Sequence, residues 1–259
     1  MLDMARRVDE CELFDAVWVG DSLLAKPRPE SLTLLGGLTA ATRRVTLGVA
    51  CMASFPVRDP LVFAYQWANL DGRMMENIEI CRRLWNEDHV NFAGKFRAFH
   101  DVTLRPKPVQ QPCPVWIASN PPPTANKVLR RAARKADGWM TGNVFPNLLA
   151  ANWARLTEYL REAGRAPERY PTVAYHNVNI GPDRQAALEE SKRFLDEYYG
   201  PVFAPPMVEA WTAAGQPAQC IEDLRKLVRD GAKRIALRVT GWRQPEQFER
   251  LVNEVLPYV

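Results

Sequence analysis

A chain of 259 residues with a net charge of +4, 47% hydrophobic and 25% charged, has the composition of an ordinary globular protein. Folding a chain of this size buries roughly three quarters of its unfolded surface, enough for one large core. Its 34 basic and 30 acidic residues are too evenly matched to argue for nucleic acid, and no apolar run approaches the ~18 residues of a membrane span.

In chain order, the charged and amphipathic N-terminus reads as a helix over residues 2–12, not as a signal peptide. Asp15–Asp21 is a short apolar strand, and Pro29 and Glu30 stand near the start of a helix that reaches Thr42. A strand of β-branched and apolar residues follows from Val45. It turns small at Ala50, Cys51, Met52, Ala53 and Ser54, just where it should end. Small residues there either leave room for something large against the backbone or merely fit a crowded interior. A helix over 59–71 has Pro60 in its first turn. The next, over 73–85, repeats Met74, Ile78, Cys81, Leu84 and Trp85 at helical spacing. Residues 90–113 are strand-like and Pro-rich and read as a long connection. Then come a strand at Pro114–Ser119, a helix at Pro123–Lys135, a short strand at Asp137–Gly142 and a helix at Asn147–Gly164. The strand Thr172–Ile180, helices over 184–199 and 217–230, the strand Arg234–Thr240 and the helix Pro245–Leu256 complete the pattern. The basic run Lys127–Lys135 lies on a helix and reads as a solvated face.

Such alternation means βα units and a parallel sheet wound right-handed. The strands are continuous apolar runs, as expected when both faces are covered. Six core strands are evident, so a closed barrel and an open doubly wound sheet both fit. The five cysteines (Cys11, Cys51, Cys81, Cys113, Cys220) are scattered, with no CxxC pair and no Cys/His cluster at metal spacing. They read as reduced thiols of a cytoplasmic protein without a metal site. The chain has no P-loop, GxGxxG, HExxH or GxSxG.

Several stretches carry a resemblance: "FDAVWVGDSL", "TRRVTLGVACMASFPVRDPLVFAYQWANLD", "RRLWNEDHVNFAGKFRAF", "PKPVQQPCPVWIASN", "ADGW", and "GQPAQCIEDLRKLVRDGAKRIAL" near the C-terminus. In this order they resemble the luciferase-like flavin-dependent monooxygenase family, which includes bacterial luciferase, alkanesulfonate monooxygenase and enzymes that use the deazaflavin F420. The resemblance implies an α/β fold, a (β/α)8 TIM barrel, as one domain over residues 1–259. It implies FMN or coenzyme F420 at the C-terminal ends of the strands, where ligands sit in this architecture. The implied activity is that of an oxidoreductase, foremost a monooxygenase using reduced FMN and O2 on a small organic substrate. F420-dependent hydride transfer is the alternative, and a truncated, non-catalytic flavin-binding protein is the reading of another class. A separate flavin reductase and a homodimer are the implied partners, with no nucleic acid and no membrane.

The chain departs from the family twice. Family members begin with a strand before the first helix, whereas this chain starts in that helix. They also place a Gly-rich strand and a long loop ahead of the helix that begins here near Arg73, whereas Asp71 is followed at once by Gly72 and Arg73. The first and fourth barrel strands are therefore unaccounted for. An extended residue advances at most about 3.3–3.6 Å, too little for two residues to cross from one end of a barrel to the other. A break between Asp71 and Gly72 is expected; continuity there would mean a truncated barrel.

The resemblance also assigns residues. The end of the Val45 strand often carries a non-proline cis peptide against which the flavin ring rests, and the matching bond is Cys51–Met52, with Ala53 and Ser54 beside it. Ser119 or Asn120 can cap the helix that follows, whose free first-turn amides attract an anion. In the family this turn binds the cofactor phosphate, and Ser119, Asn120 and Thr124 match by position, although Pro121–Pro123 remove backbone donors. A plain cap without a ligand is the other reading. Arg73 matches a phosphate-binding arginine or is a surface residue, and Asn143 ends a strand at the cofactor. Asp21 and Ser22 end the second family strand, Ser22 standing where several members have a functional histidine. Asp21 is expected to act on the substrate or to pair with a base. His176 is the one histidine on a predicted core strand, a general acid or a packing residue. Ser22, Asn177 and Arg238 are expected at the substrate; an arginine in a barrel mouth is costly unless it meets an anion or a carboxylate. These strand ends are expected to line one cavity.

Overall fold

The structure is a computed structural model that describes residues 1–21, 29–50, 72–95, 97–105, 107–108, 110–122, 126–142 and 148–259, with the backbone alone at 72–75 and 77. In chain order the elements are α1 (Leu2–Glu10), β1 (Ala16–Gly20), α2 (Ser31–Ala41), β2 (Thr46–Ala50), α3 (Gly72–Asn86), β3 (Val90–Ala93), β4 (Ala98–Val102), β5 (Trp116–Ala118) and α4 (Asn126–Lys135). They continue with β6 (Gly138–Gly142), α5 (Leu148–Glu162), β7 (Thr172–Ile180), α6 (Arg184–Tyr199), α7 (Pro205–Ala210), β8 (Thr212–Gly215), α8 (Pro217–Arg229), β9 (Arg234–Val239) and α9 (Gln244–Arg250). The predicted helix over 59–71, the Cys51–Met52 peptide and the Asp71–Gly72 junction lie outside the described residues.

All six expected core strands form, and they run parallel in two arcs of a β/α barrel. β1 pairs with β2, Ala16 opposite Thr46 through Gly20 opposite Ala50. The second arc joins β5 to β6, β6 to β7 and β7 to β9. β7 is long enough for two neighbours on one edge: β6 meets residues 172–175 and β8 meets 177–180. Among the described residues no strand joins β2 to β5 or β9 to β1. Those are the two places where the resemblance left the family's first and fourth strands unaccounted for.

Side chains bridge the arcs. Arg234, at the start of β9, reaches Asp15, just before β1, at 2.6 Å. Trp18 of β1 lies with its ring centroid 6.0 Å from that of Trp116 of β5. Glycine makes room for each ring on the neighbouring strand: a Cβ on Gly48 would stand 2.5 Å from Trp18, and one on Gly138 2.7 Å from Trp116. At Gly48, therefore, the large group lying against the strand is Trp18.

Strand alternation divides the side chains between two faces. Ala174, Val178 and Ile180 of β7 pack with Leu129, Trp139, Leu156 and Leu224 in the layer between sheet and helices. Tyr175 and Asn177 take the opposite, interior face. Smaller cores form under α1 and α2 around Ala5, Val19 and Leu38, and under α3 around Leu84, Trp85 and Phe92.

Three elements correct the sequence reading. The expected connection over 90–113 contains an antiparallel hairpin, β3–β4, because Val90 and Phe92 alternate inward onto the α3 core. β8 and α7 were not expected. β8 carries no β-branched signal beyond Thr212; Ala213 and Ala214 are wholly buried, so close packing holds it in place.

Candidate functional site

A cavity of about 1650 Å³ extends from Phe14 below β1 to Tyr198 and Tyr199 at the other end and reaches between β9 and β1 to Leu224 and Leu251 of the helical layer. Trp18, Trp116, Tyr175 and Arg238 are among the residues that line it, with both strand edges that face the β9–β1 gap. Its upper end is built by β7, β9 and the last turns of α6. α6 begins with Asp183 accepting from Ala186 N at 2.9 Å and ends at Gly200, whose φ of +81° suits a residue without a side chain.

Arg238 is the centre of that end. Its Nε donates to Asn177 Oδ1 at 3.0 Å and its Nη1 to the Tyr199 hydroxyl at 2.9 Å. The rings of Tyr175, Tyr198, Tyr199 and Trp211 stand around the guanidinium, each with its centroid 5.2–5.3 Å from Cζ. Rings at this distance stabilise a cation through their quadrupoles. Among the described residues no carboxylate forms an ion pair with Arg238. Trp211 itself is fixed by donating Nε1 to the Tyr175 carbonyl at 2.7 Å.

The other predicted site residues fall in several places. Asn177 and Arg238 are brought together as above. Ser119 follows β5 and accepts from Trp139 Nε1 at 3.0 Å. The Oδ1 of Asn120 accepts from Thr141 at 3.3 Å and from Asn152 at 3.4 Å, while its buried Nδ2 has no partner among the described residues. Asp21, buried just past β1, accepts from Ser31 Oγ at 2.7 Å and so ties down the first turn of α2. Ser22, Cys51, Met52, Ala53, Ser54, Thr124 and Asn143 lie outside the described residues, as does the side chain of Arg73, which stands in the first turn of α3.

His176 is separated from Asn177 and Arg238. It shares the face of Ala174 and Val178, opposite Leu237 of β9 in register, and is buried against the helical layer. Its Nδ1 has no partner among the described residues, and burial pushes the imidazole down to about 3. Neither it nor Asp21 nor Ser119 is among the residues lining the cavity. Of the strand ends expected to line one cavity, Arg238 does so and Asp21, Ser119 and His176 do not, while Cys51, Met52 and Asn143 lie outside the described residues.

Sequence reasoning missed Thr212 and the aromatic wall. The signal for the wall was present in the two tyrosines before Gly200 and in Trp211, aromatic residues at the ends of helices.

Among the described residues no helix is long and apolar enough to cross a membrane. The model of the luciferase-like monooxygenase family matches residues 1–72 and 68–234. The chain therefore belongs to the luciferase-like monooxygenase family. The two matched stretches meet at residues 68–72, at the junction where the sequence passes directly from Asp71 to Gly72. An F420-dependent glucose-6-phosphate dehydrogenase of Intrasporangium calvum is 23% identical, over 94% of this chain and 90% of its own. That alignment spans 309 positions against the 259 residues of this chain, so the relative carries segments this chain lacks. An F420-dependent secondary alcohol dehydrogenase, solved with an F420-acetone adduct, has the same fold, with a TM-score of 0.80 at 16% identity over 98% of this chain and 93% of that one. The monooxygenase RslO1 from Streptomyces bottropensis gives a TM-score of 0.77 at 22% identity over 99% and 92%. These likenesses identify the TIM-barrel architecture of which the two arcs are parts.

Proposed function

We propose that this protein is an oxidoreductase that acts on a small organic substrate with a bound isoalloxazine-type cofactor, coenzyme F420 in first place and FMN in second. The observation that carries the reading is this cavity together with an unspent buried donor, Asn120 Nδ2, just past the end of β5. The cavity, which takes in the β9–β1 gap as well as the barrel interior, has room for a cofactor and a substrate together. A buried amide without an acceptor is costly, and a phosphate oxygen at the head of α4 would satisfy it. Asn120 and the first turn of α4 would hold the cofactor phosphate, with Thr141 and Asn152 fixing the Asn120 side chain. Trp18, Trp116 and Tyr175 would exclude water from the ring. F420 when bound supplies a carbon that takes or gives a hydride, and reduced FMN supplies oxygen activation. The names of the sequence relative and of one of the two solved structures favour F420; RslO1 favours the monooxygenase.

A second reading is favoured by the two strand positions that no described residue fills: a shortened family member that binds the cofactor without turnover. One experiment separates the readings. The protein is titrated with F420 and with FMN, and each complex is then followed by absorbance, anaerobically with alcohols and sugar phosphates and after mixing reduced cofactor with oxygen. F420 should bind and lose its visible absorbance with an alcohol or sugar phosphate, and Asn120→Ala should weaken binding about tenfold or more. Binding of either cofactor with neither reaction would select the non-catalytic reading. Absence of binding by both cofactors would refute both.

A further inference from the structure

We propose that the mouth of the barrel holds a carboxylate subsite made of Arg238, Asn177 and Thr212 and roofed by Tyr198 and Tyr199, so that the substrate carries a carboxylate on a largely apolar body. The word substrate rests on the oxidoreductase reading; the subsite itself rests on the side chains alone.

The three residues form one row. Thr212 of β8 stands opposite Asn177 of β7, and Asn177 stands opposite Arg238 of β9. In parallel strands, residues paired in register point to the same face, here the interior. Each has one buried polar atom with no partner among the described residues: Thr212 Oγ1, Asn177 Nδ2 and Arg238 Nη2. Asn177 is 0% exposed and Thr212 1%. Most buried polar atoms in folded proteins are satisfied, so three orphans side by side are unused hydrogen-bonding capacity. Asn177 Nδ2 and Arg238 Nη2 can only donate, so the missing group is an acceptor.

The surroundings narrow its chemistry. The row has one positive charge, and aromatic rings surround the guanidinium, leaving its Nη2 edge for an acceptor in the plane. A carboxylate is planar, carries one charge and accepts such donors side by side. A phosphate would leave most of its charge unmatched. Tyr175 and Trp211 offer apolar walls to whatever body bears the carboxylate.

The orphaned atoms are covered in this structure, and the cover can come off. Tyr199 closes over Arg238 through its hydroxyl, and Tyr198 meets Tyr199 edge-on at 4.5 Å between centroids. They are the last two residues of α6, before Gly200 breaks the helix. Unwinding that turn removes both rings together and opens the row to the cavity.

Calorimetric titration of the whole protein with sodium benzoate, benzamide and inorganic phosphate tests the subsite. Benzoate should bind saturably and at least about tenfold tighter than benzamide or phosphate. Arg238→Gln should weaken benzoate by a similar factor. Tyr199→Phe should strengthen it, because the roof loses its bond to Nη1. Should Arg238→Gln fail to fold, Asn177→Asp decides, since it gives Arg238 an internal carboxylate and should abolish benzoate binding. Equal binding of benzoate and benzamide, preference for phosphate, unchanged binding in Arg238→Gln or Asn177→Asp, or no benzoate binding would overturn the proposal. F420 and FMN titrations run beside it. Cofactor binding without benzoate binding overturns the subsite alone, and benzoate binding without cofactor binding supports the subsite while refuting the oxidoreductase reading.

Discussion

Replacing His176 by leucine should flatten the acid side of the stability curve. In the unfolded chain the imidazole titrates near 6.5. In the fold, burial pushes it down to about 3. A base whose folded pKa is depressed contributes stability that is fully present above the unfolded value and lost as pH falls toward the folded one. Between about pH 6.5 and 3 the unfolded state binds one proton that the native state refuses. The resulting slope is about 1.4 kcal/mol per pH unit in that window. Relative to pH 8, the wild type should lose about 2 kcal/mol by pH 5 and about 3 kcal/mol by pH 4 through this residue. Leucine has similar volume, does not titrate, and leaves no buried nitrogen unpaired. Urea denaturation of both proteins at pH 8, 6, 5 and 4 gives the difference. The variant should match or exceed the wild type at pH 8 and gain on it steadily below pH 6.5. Proton NMR supplies a direct check, because the chain has only three histidines. Parallel stability curves, or a His176 resonance titrating near pH 6.5, would refute the placement of His176 in the helical layer.

Two further outcomes follow from packing and hydrogen bonding. Gln247 accepts from Ile180 N at 2.9 Å and donates to Ile180 O at 2.9 Å, closing the end of β7. Gln247→Leu should cost about 1–3 kcal/mol in urea denaturation by leaving the buried Ile180 amide unpaired, while the Ile180 carbonyl keeps its bond from Arg250 Nη1 at 2.8 Å, and a loss below about 0.5 kcal/mol would contradict that role. Gly138→Ala should cost about 1–3 kcal/mol by pressing on Trp116. Most of that cost should vanish in a Trp116→Leu background, and simple additivity of the two changes would show that glycine and ring do not meet.

The six core strands were legible because each is a compact apolar run bounded by turn residues, and the structure returns all six. The two places that no described strand fills were pointed to by the resemblance alone, since composition carries no record of strand number. β8 was hidden because Thr-Ala-Ala-Gly has little strand propensity, and its pairing with β7 is a tertiary choice. The hairpin β3–β4 read only as strand-like, because Pro106, Pro108 and Pro112 beyond it gave the stretch the look of a connection. At the site, Asn177 and Arg238 could be picked out as polar residues on apolar strands. Their meeting with Thr212 could not, because it depends on the register of β7, β8 and β9, which separates the three residues widely in sequence. His176 and Asn177 are adjacent in the chain yet face opposite layers, a distinction that turns on knowing which face of β7 is the interior.

β7 is the only described strand with three strand partners: β6 and β8 share one edge, and β9 takes the other. Its central amides are therefore bonded to a neighbour whichever way they point, whereas those of β1 and β9 have one side turned to the gap. Opening of the molecule should then be graded. In deuterated water, amides along the gap-facing edges of β1 and β9 should exchange through local fluctuations, and the interior of β7 only when the whole chain unfolds. The slowest amides would report the global stability, and the polar row of the site, whose central residue Asn177 sits on β7, would stay assembled through openings that take the β1–β2 arc away.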